Sequence, residues 1–166
     1  MKLLARTLSL LAIASLTLFF SNCGKGGGET APEKVALGKL SKTWNIVSAD
    51  RSGTPADETA DFTNFDLTIS GTFNSGSPEG PYDYDVSGGQ PVLSPWPQGV
   101  AGTSGTWTFA GIPEKNEGLI GRNDDVAMYY ILSSNGQLTL TFNLPIGGGY
   151  QARTSQVEGD WTFVFD

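Results

Sequence analysis

The stretch that decides the fold runs from Val126 to Leu144, VAMYYILSSNGQLTLTFNL. In its second half Leu138, Leu140, Phe142 and Leu144 alternate with Gln137, Thr139, Thr141 and Asn143. A period of two belongs to an extended strand with one face buried, because successive side chains point to opposite sides. The first half, Val126 to Leu132, is apolar at every position. That pattern predicts a strand covered on both faces, with the chain's short helix as the cover. Ser134-Asn135-Gly136 lies between the two halves, and Asn-Gly accepts the positive φ of a tight hairpin.

The same alternation recurs on either side of this hairpin. Trp44, Ile46 and Ser48 form an imperfect first strand. Phe65, Leu67, Ile69 and Phe73 share a face opposite Asp66, Thr68 and Ser70. Tyr82, Tyr84 and Val86 alternate with Asp83 and Asp85, and Trp107 and Phe109 with Thr106 and Thr108. Trp161, Phe163 and Phe165 close the chain. A weaker strand at Leu119 to Arg122 joins Val126 through the turn Asn123-Asp124-Asp125. The one helix-like stretch is Pro32 to Leu40, about two turns, which must dock to persist. Short strands at hairpin spacing predict an all-β domain, either a barrel or a sandwich. The up-and-down order implied by the hairpin favours an antiparallel barrel of about eight strands, with a β-sandwich as the alternative.

Composition narrows the chemistry. The 166 residues include no histidine and one cysteine, so Ser-His and Cys-His nucleophile pairs and an internal disulfide are all excluded. The net charge is -7, with 10 basic against 17 acidic residues, which argues against a phosphate backbone as partner. No cofactor or metal is expected, and the chain reads as a non-enzyme.

The N-terminus reads as an address. Lys2 and Arg6 precede Leu8 to Phe20, a run of 13 residues, shorter than the roughly 20 a membrane-spanning helix needs and typical of a secretory signal. Phe20-Ser21-Asn22-Cys23-Gly24 resembles a bacterial lipobox, in which cleavage before the cysteine exposes it to lipid modification. The resulting division is a signal peptide at 1–22, an acylated Cys23 with a Gly-rich tether at 23–32, and a β domain at 33–166. Acylation by more than one chain anchors stably, so the membrane is a partner through Cys23. Gly24 in place of a retention Asp points to the outer membrane. Loss of Lys2 and Arg6 with the signal leaves a net charge of -9, too acidic for charge alone to attach the domain to an anionic surface.

Leu40-Ser41-Lys42-Thr43-Trp44, Gly105-Thr106-Trp107-Thr108-Phe109 and Gly159-Asp160-Trp161-Thr162-Phe163, together with the lipobox, resemble the lipocalin-like lipoprotein domains of Bacteroidota. Lys42 stands where that family usually has Gly. The resemblance covers Lys39 to Asp166 and implies an eight-stranded up-and-down barrel, with no activity attached.

Within such a barrel the inward candidates are Trp44, Phe65, Phe73, Trp107, Phe109, Phe142, Trp161, Phe163 and Phe165. Aromatics in that number favour a packed lumen over an open cavity. Trp96, between Pro95 and Pro97, is a candidate to stack on a sugar or apolar ligand at the rim, or to fold back as a lid. Tyr82 and Tyr84 would join that rim. Arg122 is a candidate to hold an acidic ligand from inside, although a surface pair with a nearby Asp is favoured; Arg153 has equal standing. Asp83 and Asp85 with Gly88 share the opening spacing of a calcium loop, but solvated aspartates are favoured there, as at Asp124 and Asp125. The preferred reading is a binding module for a small apolar or amphipathic ligand or a glycan. The alternative is a structural or adaptor lipoprotein with a packed barrel.

Overall fold

The computed structural model describes residues 30–52, 57–98, 103–145 and 157–166. The signal segment and Cys23 lie outside the described residues, as does Arg153. A helix, α1 (Pro32–Leu40), is followed by eight strands: β1 (Thr43–Arg51), β2 (Asp66–Ser70), β3 (Tyr82–Ser87), β4 (Ser104–Phe109), β5 (Glu117–Arg122), β6 (Ala127–Leu132), β7 (Leu138–Leu144) and β8 (Gly159–Phe165). They form a closed barrel in chain order, with every neighbouring pair antiparallel. The sandwich alternative is thereby replaced.

Closure is made by β1 against β8, where Ala49 faces Phe163 and Arg51 faces Trp161. The register slips between Ile46 and Ser48, leaving Val47 as an extra residue that bends the seam. This explains the imperfect alternation of the first strand. Ala49 is fully buried, and its small side chain leaves room for the rings of Phe62 and Phe163, which meet edge to face at 5.1 Å.

The β6–β7 hairpin forms where expected, but β6 is not covered on both sides. Met128, Tyr130 and Leu132 face inward, while Tyr129 and Ile131 remain 39% and 40% exposed. The helix lies elsewhere: it docks at the barrel end that receives the β2–β3, β4–β5 and β6–β7 connections. Pro32 starts it, Glu33 and Lys39 suit its dipole, and Ala36, Leu37 and Leu40 are buried. Lys39 Nζ donates to the Lys115 carbonyl and to Asn116 Oδ1 in the β4–β5 connection. The Trp44 indole N–H donates to the Leu40 carbonyl at 2.8 Å, tying the helix to the first strand. Trp161 repeats this device at the opposite end by donating to Val157 at 2.9 Å.

The hairpin turn also differs in detail from the expectation. Only Gly136 takes positive φ, at 89°. Ser133 N–H and Gln137 carbonyl bond at 2.9 Å, closing a three-residue loop. The β5–β6 turn has the same form between Arg122 and Val126, with Asp125 at φ 62° in the glycine's place. Gly88 is more constrained: at φ 86°, a Cβ there would lie 1.8 Å from the Asn64 carbonyl oxygen. The Cβ of residue 136 would meet nothing within 4 Å. Gly136→Ala should therefore cost about 1 kcal/mol through the backbone alone. Gly88→Ala should cost about 3 kcal/mol or more, because strain and overlap add. Equal losses in denaturant melts would contradict this placement.

Candidate functional site

The end of the barrel opposite α1 receives the β1–β2, β3–β4, β5–β6 and β7–β8 connections. The described part of the β3–β4 connection, residues 88–98, turns inward rather than arching over this opening. Gly89 N–H bonds the Thr63 carbonyl at 2.8 Å, and Pro95, Trp96 and Pro97 are all buried. Trp96 is 3% exposed. Its ring lies 5.7 Å from Phe65, 6.5 Å from Tyr84, 5.9 Å from Phe142 and 5.5 Å from Phe163. Those partners come from opposite walls of the barrel, so the indole spans the lumen.

Arg122 fixes the connection there. It ends β5 two residues after Ile120, and that spacing places both side chains inside. It is the one buried charged residue among the described residues, at 4% exposure. Its Nε donates to Asp124 Oδ1 at 2.9 Å, and Nη2 pairs with Asp124 Oδ2. Nη1 and Nη2 both donate to the Pro95 carbonyl at 3.1 Å. The guanidinium also lies 5.0 Å from the Trp96 ring centre, within cation–π range. A bidentate carboxylate on one side and a carbonyl on the other suit the planar fork of arginine.

Three of the four candidate ligand residues, Trp96, Tyr84 and Arg122, are thus brought together, inside the barrel rather than at its rim. Tyr82 is apart from them. It packs against Trp107 and Phe109, and its hydroxyl donates to the Pro78 carbonyl at 2.6 Å, near the α1 end. Arg122 does pair with an Asp, but buried rather than on the surface. The sequence signal was available: Arg122 shares the inward parity of Ile120. Phe62 was missed as a core residue because it lies outside any alternating run; it is fully buried against Phe65, Trp161 and Phe163. Phe73, expected inside, is only partly buried.

One cavity of about 10 Å³ lies in the lumen, lined by Leu67, Ile69, Tyr84, Trp96, Trp107 and Ile120 among others, roughly one water's worth. The indole N–H groups of Trp96 and Trp107 and the Tyr130 hydroxyl are buried without a hydrogen-bond partner. Burial pushes the Tyr130 phenol up to about 12, with Tyr129 and Glu117 adding to the effect. Asp83 and Asp85 lie exposed on strand β3 rather than in a loop. Among the described residues no group of three or more acidic or Cys side chains is placed to hold a metal ion.

The chain matches no family model, and no curated protein or solved structure is similar to it at a significant level.

Two predictions follow from this geometry. Asp124→Ala leaves the Arg122 charge buried and unpaired, which should cost about 3–5 kcal/mol. Replacing the pair by Arg122→Met with Asp124→Leu should cost less than Asp124→Ala alone; the reverse order in urea melts would show that the pair is not buried. For Tyr130 the folded-state pKa lies above the unfolded value near 10, so its stability contribution is full below pH 10 and is lost as pH rises towards 12. Tyr130→Phe should flatten that alkaline loss and raise stability at neutral pH, because it removes an unpaired buried hydroxyl. Unchanged pH dependence would contradict the assignment.

Proposed function

We propose that the protein is a bacterial lipoprotein held to the membrane through an acylated Cys23, with a packed, non-catalytic barrel that works through its outer surface. The observation that carries this reading is Trp96. Its indole is buried across the lumen, where a small ligand would sit, and the cavity beside it, about 10 Å³, holds about one water. The lipobox-like Phe20-Ser21-Asn22-Cys23-Gly24 supports the anchor, and Gly24 supports the outer membrane. The lack of histidine supports a structural or adaptor role over an enzymatic one.

One observation favours a second reading, a binding barrel closed by its own loop. Arg122 holds the Pro95 carbonyl with two N–H groups, as it would hold an acceptor on a ligand entering in place of Trp96.

Titration with an environment-sensitive apolar dye separates the two. The packed-barrel reading expects no saturable binding by the wild-type protein. It expects binding by Trp96→Ala, which vacates the volume of an indole at a stability cost of about 3–5 kcal/mol. Stoichiometric binding by the wild type with a change in Trp96 fluorescence would replace the first reading by the second. Mass spectrometry of the mature N-terminus tests the anchor: an acylated Cys23 is expected, and an unmodified one would overturn it.

A further inference from the structure

The charges of the barrel are sorted by end. All four lysines among the described residues, Lys34, Lys39, Lys42 and Lys115, belong to α1, to the entry into β1 or to the β4–β5 connection, at one end. That end also carries acidic residues, Glu33, Glu79, Glu114, Glu117 and Asp166 among them, so it is mildly acidic, far less so than the other end. The opposite end carries Asp50, Asp57, Glu58, Asp61, Asp125 and Asp160 among others. Its described cations are Arg51 and Arg122, each already ion-paired to a carboxylate.

Exposed apolar side chains are also concentrated on the lysine side. Ile112, in the β4–β5 connection, is 78% exposed. Val35 of α1 is exposed as well, and Lys39 ties that helix to the same connection. On the outer wall Leu119 and Tyr129 face each other in register, and Ile131 lies one pleat further towards the α1 end; all three are exposed. The other exposed large apolar residues among those described are Val92, at the acidic end, and Val47, at the bulge in the middle of β1.

The described chain begins at the same end, with α1. Eight residues, 24–31, separate Cys23 from Pro32, the first residue of α1, so nine Cα-to-Cα steps join them. At full extension that segment spans about 30 Å. With Cys23 acylated, α1 must stay within that distance of the bilayer.

From these three observations we infer that the α1 end, with Ile112, Val35, Lys34 and Lys115, lies on the phospholipid surface and that the acidic end points away from it. The inference rests on the lipoprotein reading for the anchor. A net charge of -9 cannot attach the mature chain to an anionic leaflet, but attachment is the task of the acyl chains. Orientation depends on the asymmetry: lysines near the headgroups are attracted, and the acidic end is repelled beyond the screening length of about 8 Å. Ile112 and Val35 then enter the interfacial region, where apolar side chains lose contact with water.

Hydrogen exchange on the whole lipoprotein tests this, comparing detergent solution with vesicles of phosphatidylethanolamine and phosphatidylglycerol. Exchange in residues 33–36 and 110–116 should slow roughly threefold or more in vesicles, with none of that slowing in 57–64. Lys34→Glu with Lys115→Glu should remove much of the protection. Slowing confined to 57–64, or equal at both ends, would overturn the orientation, as would no slowing anywhere. The anchor is read separately, by the mass of the N-terminal peptide. If Cys23 proves unmodified, its free thiol can be coupled to a maleimide phospholipid, and the same exchange comparison still decides the orientation.

Discussion

Two N–H groups of a buried arginine on one proline carbonyl hold the interior of this barrel together. An eight-stranded barrel encloses a space just wide enough to need filling, and wall residues alone do not fill this one. The missing volume is the indole of Trp96, carried in by a connection flanked with prolines. Arg122 holds that connection at Pro95, and Asp124 neutralises Arg122 from the adjoining turn. The turn that supplies Asp124 needs Asp125 in the left-handed region. Side chain, loop and turn therefore depend on one another.

The opposite end is closed by different means. There α1 buries Ala36, Leu37 and Leu40, and Trp44 hydrogen-bonds its last turn. One stopper is a helix and the other a single aromatic side chain on an irregular loop. The difference matters energetically. The helix satisfies much of its own backbone, whereas the loop brings polar groups inside that need partners, and buried polar groups without partners are costly. Arg122 satisfies the Pro95 carbonyl and Ser94 Oγ accepts from the Trp96 backbone N–H, but the Trp96 indole N–H stays unpaired. The buried ion pair thus secures a particular arrangement of the loop more than it adds net stability.

Much of the architecture was legible because period-two alternation is a local property. The β7 pattern from Leu138 to Leu144 and the Tyr82–Tyr84–Val86 face needed no knowledge of neighbours. Val126 to Leu132 misled for the opposite reason. Tyr129 and Ile131 are apolar yet half exposed, and composition cannot distinguish a covered face from an apolar patch left in solvent. The contents of the lumen were hardest to read. Nothing local to Pro95-Trp96-Pro97 says whether the loop arches over the opening or enters it; that depends on the volume left by Phe142 and Phe163 of β7 and β8 and by Phe65 at the entry to β2, and on a carboxylate 28 residues further along. The parity of Ile120 and Arg122 was the available clue.

A filled lumen moves attention from the inside of the barrel to its ends and outer wall, where the charges and exposed apolar residues are unevenly distributed. It also makes Trp96 the residue on which the account stands. The most direct measurement is the exchange rate of its indole N–H proton, assigned by nuclear magnetic resonance through the signal lost in Trp96→Phe. An indole spanning the barrel must wait for unfolding or for expulsion of the whole connection, so its proton should exchange as slowly as the core amides of β7 and show close contacts to the Phe65 and Phe163 rings. Exchange as fast as that of an exposed loop, without those contacts, would contradict the account.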